Sequence, residues 1–245
     1  MSTATRTLFL SCALALTAAV TPAATDDATA ARPDFSGVWL PNSKESGHWP
    51  EQRPFTKKML ELRALWDKTN QPIDFTVDDD HTSCLPYTLP FMLTTITQYP
   101  FEIVSTPRRM YVFTEVYGQI RRIDVDAPPP PPDTLPTRTG SSRAHWEGSQ
   151  LVIETTNIAQ ENEGSRFPSS PALRVIERLS LQEGGEHGKQ IINEVTVQDP
   201  QVYEKPVAIR MVYKWAKDVT VSEYVCEQDL WDQHLDGSTS KIPWR

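Results

Sequence analysis

Between residues 144 and 200 the chain alternates apolar and polar positions with a period of two, the period of a strand. Three runs carry the pattern: AHWEGSQLVIETTN, ALRVIERLSLQ and KQIINEVTVQDP. Each is rich in Ile, Val, Leu and Thr and is bounded by Gly, Asn, Ser or Pro, which is strand-and-turn chemistry. Gly148-Ser149 precedes the first apolar run, Gly184-Gly185 and Gly188 separate the second from the third, and Pro200 closes the third. Successive side chains of a strand point to opposite faces. In the second run Leu173, Val175, Glu177, Leu179 and Leu181 therefore share one face, and Arg174, Ile176, Arg178 and Ser180 the other. In the third, Ile191, Asn193, Val195 and Val197 form the apolar face, with Ile192, Glu194 and Thr196 opposite. Each apolar face carries one polar residue, Glu177 or Asn193. A meander with an apolar inner face and a few inward polar groups predicts a barrel with a cavity.

The flanking chain extends this reading. Asp34-Phe35-Ser36-Gly37-Val38-Trp39 predicts an opening strand. Its Gly-x-Trp resembles the opening of lipocalin-like barrels, which implies Trp39 at a barrel floor under a late Arg such as Arg210; the alternative is a Trp packed in any β core. In PFTKKMLELRALWDKTN, Phe55, Met59, Leu62, Leu65 and Trp66 recur at helical spacing between Pro54 and Asn70. This predicts one amphipathic helix, read as a cover for the barrel. CLPYTLP is too rich in proline for a central strand. Strands resume at Phe101–Val104 and again from Arg109 to Tyr117. There Met110, Val112, Thr114 and Val116 oppose Tyr111, Phe113, Glu115 and Tyr117. The aromatic face is expected to point inward, because several rings in water are costly; the alternative places Glu115 on the surface. Pro128 to Pro132 cannot join a ladder and predict a stiff polyproline loop. Val207–Trp215 and Val219–Glu227 read as a final hairpin across Lys217-Asp218.

Composition adds a compartment. Arg6, the apolar stretch Leu8–Val20 and the small residues around Thr21–Ala24 form a secretory leader too short to span a membrane. The expected organisation is a signal peptide over 1–24, a disordered tail over 25–33, a β-barrel domain over 34–228 and an extension over 229–245. About 220 residues suffice for one β domain with its own core. No integral membrane segment is expected after the leader, and the location is read as periplasmic or secreted. The formal charge of −8 disfavours nucleic acid and anionic lipid as partners. Cys84 and Cys226 are the two cysteines outside the leader. An oxidising compartment favours their pairing, with two separate buried thiols as the alternative.

Candidate chemistry is sparse. The chain lacks G-x-S-x-G, S-x-x-K and a Gly-rich phosphate loop, so neither a nucleophile motif nor a nucleotide cofactor is predicted. The five histidines are scattered, and Asp78-Asp79-Asp80-His81 matches no metal-ligand spacing. No cofactor and no metal are expected. What remains is a carboxylate–aromatic–arginine set. Glu177 and Glu115 are the candidate catalytic acid–base groups. Tyr111, Phe113, Tyr117, Arg121 and Asn193 are the candidate substrate contacts, with Arg122 as the alternative to Arg121. A carboxylic acid among Leu and Val side chains suits general acid–base work; the alternative is an ion pair with a neighbouring Arg that only holds the barrel. The expected function is a cofactor-independent lyase, isomerase or hydrolase acting on a small apolar or aromatic molecule. The alternative is a non-catalytic carrier of such a ligand.

DFSGVW, the Cys-Leu-Pro segment followed by PFEIV, Arg122-Ile123 leading to Asp126, WEGSQLVIETTN, LRVIERL, NEVTVQDPQVYEKP and EYVCE together resemble a family of exported bacterial proteins. The likeness covers most of residues 34–228. It implies an all-β fold: a single lipocalin-like (calycin) antiparallel β-barrel with one N-terminal amphipathic helix and long loops. It implies a cavity, not an established activity. Pro128–Pro132 and Phe167-Pro168-Ser169 stand where relatives carry histidine-containing segments, so no histidine role transfers to those places.

Overall fold

The computed structural model describes residues 32–69, 84–94, 99–162, 165–184 and 188–227. Among these, nine strands close into one barrel in sequence order. They are β1 (Gly37–Pro41), β2 (Phe101–Thr106), β3 (Arg109–Thr114), β4 (Ile120–Val125), β5 (Ser141–Glu147), β6 (Gln150–Thr156), β7 (Arg174–Glu183), β8 (Lys189–Gln198) and β9 (Val207–Trp215). The helices are α1 (Lys57–Thr69) and the single turn α2 (Phe91–Thr94). The mostly β, closed-barrel architecture is the one expected from the alternation.

Strand count sets the connectivity. Directions cannot alternate all the way around a ring of nine, so at least one neighbouring pair must be parallel. That pair is β4–β5, matched through Ile123↔Ser142, Asp124↔Arg143 and Val125↔Ala144. The other eight pairings are antiparallel. A parallel pair needs a long crossover to bring the chain back to the starting end. Residues 126–140 supply it, and the extended polyproline run suits a strap that must cover distance without ladder bonds. The strap rejoins the barrel at Gly140, whose φ is +65° and where an added Cβ would lie 2.6 Å from Thr155 Cγ2 and 2.7 Å from the Thr156 carbonyl oxygen. Only glycine fits there.

Two segments differ from the sequence reading. The first run is two strands, β5 and β6, turning at Gly148, whose φ is +61°; the apolar periodicity of β6 masked the more polar β5. Residues 219–227 form no hairpin strand. Both edges of β9 are already taken, by β8 and β1, so the last segment has no ladder to join. It runs instead as irregular chain held by the Cys84–Cys226 disulfide, whose Cα atoms are 5.5 Å apart.

The barrel ends are closed by side chains. At one end Trp39 is fully buried, and its indole N–H donates to the Phe35 carbonyl at 2.9 Å. Arg210 does not cover it. Val207, Ile209, Met211 and Tyr213 take the inward positions of β9, so Arg210 points out, 3.4 Å from Glu194. The other end carries an aromatic layer in which Phe91 packs on Phe167 and Tyr87, and Trp49 packs on Phe167 and Tyr203. Asp199 ties the loops there together, accepting from the backbone N–H and hydroxyl of Ser170, both at 2.7 Å. α1 lies outside this layer, with Met59 buried and Leu60 and Leu65 more than half exposed. The cavity is covered by α2, not by the amphipathic helix: α1 contributes no lining residue, whereas Met92 and Leu93 do.

The candidate cavity and its buried polar cluster

The pairing register carries Glu177 of β7 and Asn193 of β8 to the inside, since Glu177 sits opposite Val195 and Asn193 opposite Leu179. On β4 the same alternation turns Arg121 and Ile123 inward, both almost fully buried, and sends Arg122 and Asp124 outward. β5 and β6 add Ser142 and Thr155, and β9 adds Tyr213. Of these six side chains, Arg121, Glu177, Asn193 and Tyr213 line one side of a mostly apolar cavity, and Ser142 and Thr155 bond to Arg121.

The cluster is bonded from end to end. Arg121 Nη2 lies 2.5 Å from Glu177 Oε1 and 2.8 Å from Thr155 Oγ1. Arg121 Nε donates to Ser142 Oγ at 3.1 Å, and the Ser142 and Thr155 hydroxyls are 2.9 Å apart. Asn193 Nδ2 donates to Glu177 Oε2 at 3.0 Å. Both carboxylate oxygens of Glu177 are therefore engaged, as a charge buried in a low-dielectric interior requires. The Tyr213 hydroxyl donates to the Leu93 carbonyl at 3.2 Å. Burial pushes its pKa far above the ordinary phenol range, and the Glu177 charge adds to that, against smaller opposing effects of Asn193 and Arg121. Tyr213 stays a neutral donor.

One buried acceptor of the cluster is left over. Asn193 Oδ1 is buried and has no hydrogen-bond partner. Turning the amide over would point that oxygen at the Glu177 carboxylate, so the pairing with Glu177 determines which atom is orphaned. The cavity is small, about 60 Å³. Met110, Val112, Leu179 and Ile191 form its apolar wall, Met92 and Leu93 its cover, and Arg121, Glu177, Asn193 and Tyr213 its polar side.

Three expected site residues thus meet: Glu177, Asn193 and Arg121. The aromatic face of β3 does not join them. Met110, Val112 and Thr114 line the cavity, so Tyr111 and Phe113 face outward, contrary to the inward expectation. The cost of exposing the rings is reduced locally. Tyr111 and Phe113 pack against each other, and Arg109 stands over Tyr111. Strand alternation ends before Glu115 and Tyr117, which lie at a 3-10 turn (Val116–Gly118). Glu115 Oε2 accepts the Ser222 backbone N–H at 2.8 Å, and Tyr117 packs on Tyr87 and Tyr224. Arg122 belongs to an outer cleft under the strap, where it and Arg109 share Asp124. Burial raises that carboxyl, but the hydrogen bonds from Arg122 and Arg109 outweigh it and hold it below the usual range.

Sequence reasoning missed Ser142, Thr155 and Tyr213. Thr155 was visible as the continuation of the Leu151–Ile153 face, and Tyr213 as the polar-tipped member of the β9 apolar face. Ser142 had no such signal, because β5 itself was not distinguished. Among the described residues no group of three or more His, Cys, Asp or Glu could hold a metal ion; the Asp78–His81 run lies outside the described residues. No described helix is long and apolar enough to cross a membrane. The chain matches no protein-family model and no curated protein.

Proposed function

We propose that this barrel binds a small, mostly apolar molecule in its interior and acts as a carrier or receptor for it. The observation that carries this reading is a cavity with aliphatic walls and a single polar side, built from residues of several strands. Such an arrangement, apolar lining with a few placed polar groups, is the usual form of a small-molecule site. At about 60 Å³ the closed space holds about two waters, and a ligand of about five or six heavy atoms enters only as the side chains over it give way. Larger ligands need α2 to shift.

An acid–base enzyme built on Glu177 is the second reading, favoured by a carboxylate at the cavity wall. Its difficulty is that Arg121 and Asn193 already occupy both oxygens. Proton transfer would have to break one of these bonds first. The Cys84–Cys226 disulfide supports an exported protein, and the leader on which that reading also rests lies outside the described residues.

The test uses protein with ¹³C-labelled methionine methyls, since Met92 and Met110 both line the cavity. Titration with 2-methylbutane should shift these two methyl resonances saturably. Val112→Phe, which fills the space, should abolish the shift, and Val112→Leu should weaken it. A response that is absent in the wild type, or unchanged in the filled variants, would overturn the proposal.

A further inference from the structure

The cavity wall specifies the head group of its occupant. Arg121 and Glu177 are the only charged residues lining the cavity among those described, and they neutralise each other. A carboxylate or ammonium ligand would bring an uncompensated charge into an apolar space, which is strongly disfavoured. A pure hydrocarbon would leave Asn193 Oδ1 without a donor, and an unmet buried acceptor is costly. The hydrogen bonds of Arg121 use Nε and Nη2, so the Nη1 donors remain uncommitted among the described residues. The open valences are thus one acceptor and one donor group beside an aliphatic wall.

We propose that the cavity selects a neutral hydroxyl compound, an alcohol with a compact apolar body. Its O–H donates to Asn193 Oδ1 and its oxygen accepts from Arg121 Nη1. Water satisfies the same two groups but leaves the wall of Val112, Leu179 and Ile191 uncovered; the alcohol does both. The inference rests on the reading of the barrel as a ligand site.

Three probes of nearly one shape separate the possibilities: isobutanol, 2-methylbutane and isobutyrate, each titrated against the Met92 and Met110 methyl resonances. Isobutanol should bind about fivefold tighter than 2-methylbutane, the scale of one net hydrogen bond, and isobutyrate should give no saturable shift. Asn193→Leu should weaken isobutanol by about the same factor and spare 2-methylbutane. That variant also strips a partner from Glu177 and can fail to fold. The independent readout is the wild-type Asn193 side-chain amide resonance, which should move with isobutanol and stay still with 2-methylbutane. If 2-methylbutane binds as tightly as isobutanol, or isobutyrate binds tighter than both, the head-group assignment is wrong while the cavity reading stands. If no probe binds, both fall.

Discussion

Glu177 is held on both oxygens, so its replacement is read in stability before it is read in function. Glu177→Gln leaves the Arg121 guanidinium buried, with a neutral neighbour in place of its counter-ion. Removing one partner of a buried ion pair costs about 3–5 kcal/mol, and the urea midpoint should fall accordingly. Replacing both partners, Arg121→Met with Glu177→Leu, leaves no stranded charge and should recover most of that loss. A single variant as stable as the wild type would show that the pair does not hold the barrel. Full stability with lost turnover on some substrate would return Glu177 to acid–base chemistry.

At the scale of elements, the weak point is the parallel seam between β4 and β5, three residue pairs long and dependent on the strap that precedes it. Gly140, where the strap meets the seam, and Gly148, at the β5–β6 turn, provide a matched comparison. Both have positive φ, +65° and +61°, but an added Cβ meets three close atoms at Gly140 and open space at Gly148. Gly148→Ala should therefore cost only the left-handed backbone strain, about 1–2 kcal/mol. Gly140→Ala adds overpacking of about 1–3 kcal/mol and should destabilise measurably more in chemical denaturation. Equal effects would mean that the strap yields freely and does not constrain the seam.

For the molecule as a whole, Cys84–Cys226 spans 142 residues and encloses the strands from β2 to β9. In the chain-entropy account a loop of that size corresponds to about 5 kcal/mol of restriction in the unfolded state. It also holds the final segment, where Ser222 bonds to Glu115 and Tyr224 packs on Tyr99 and Tyr117. Cys84→Ser with Cys226→Ser should lower Tm by about 10 °C or more, given about 2–4 °C per kcal/mol for a domain of this size. Protein without residues 1–24, unfolded and unreduced, should show no reactive thiol. Two thiols per chain would exclude the bridge.

The division between sequence and tertiary structure follows from the range over which each signal acts. Alternation is local, and the local pattern carried the barrel, the inward faces of β7 and β8, and Glu177 and Asn193 as the polar residues on those faces. The pairing of Cys84 with Cys226 was legible because no other cysteine lies outside residues 1–24, the stretch read as a leader. On β3 alternation separated two faces but could not say which was inner; ring exposure argued for the aromatic one, and mutual packing with Arg109 made the opposite choice tolerable. The final hairpin failed for a nonlocal reason, since a strand needs a free edge and closure had consumed it. Closure also set the parallel seam, and with it the role of the polyproline run, because directions cannot alternate around an odd ring. Most of all, the juxtaposition of Arg121, Ser142, Thr155, Glu177 and Asn193 depends on the barrel bringing nonconsecutive strands face to face. The residue types were present in the sequence; their convergence, and the one unmet acceptor on Asn193, arise only when the sheet closes.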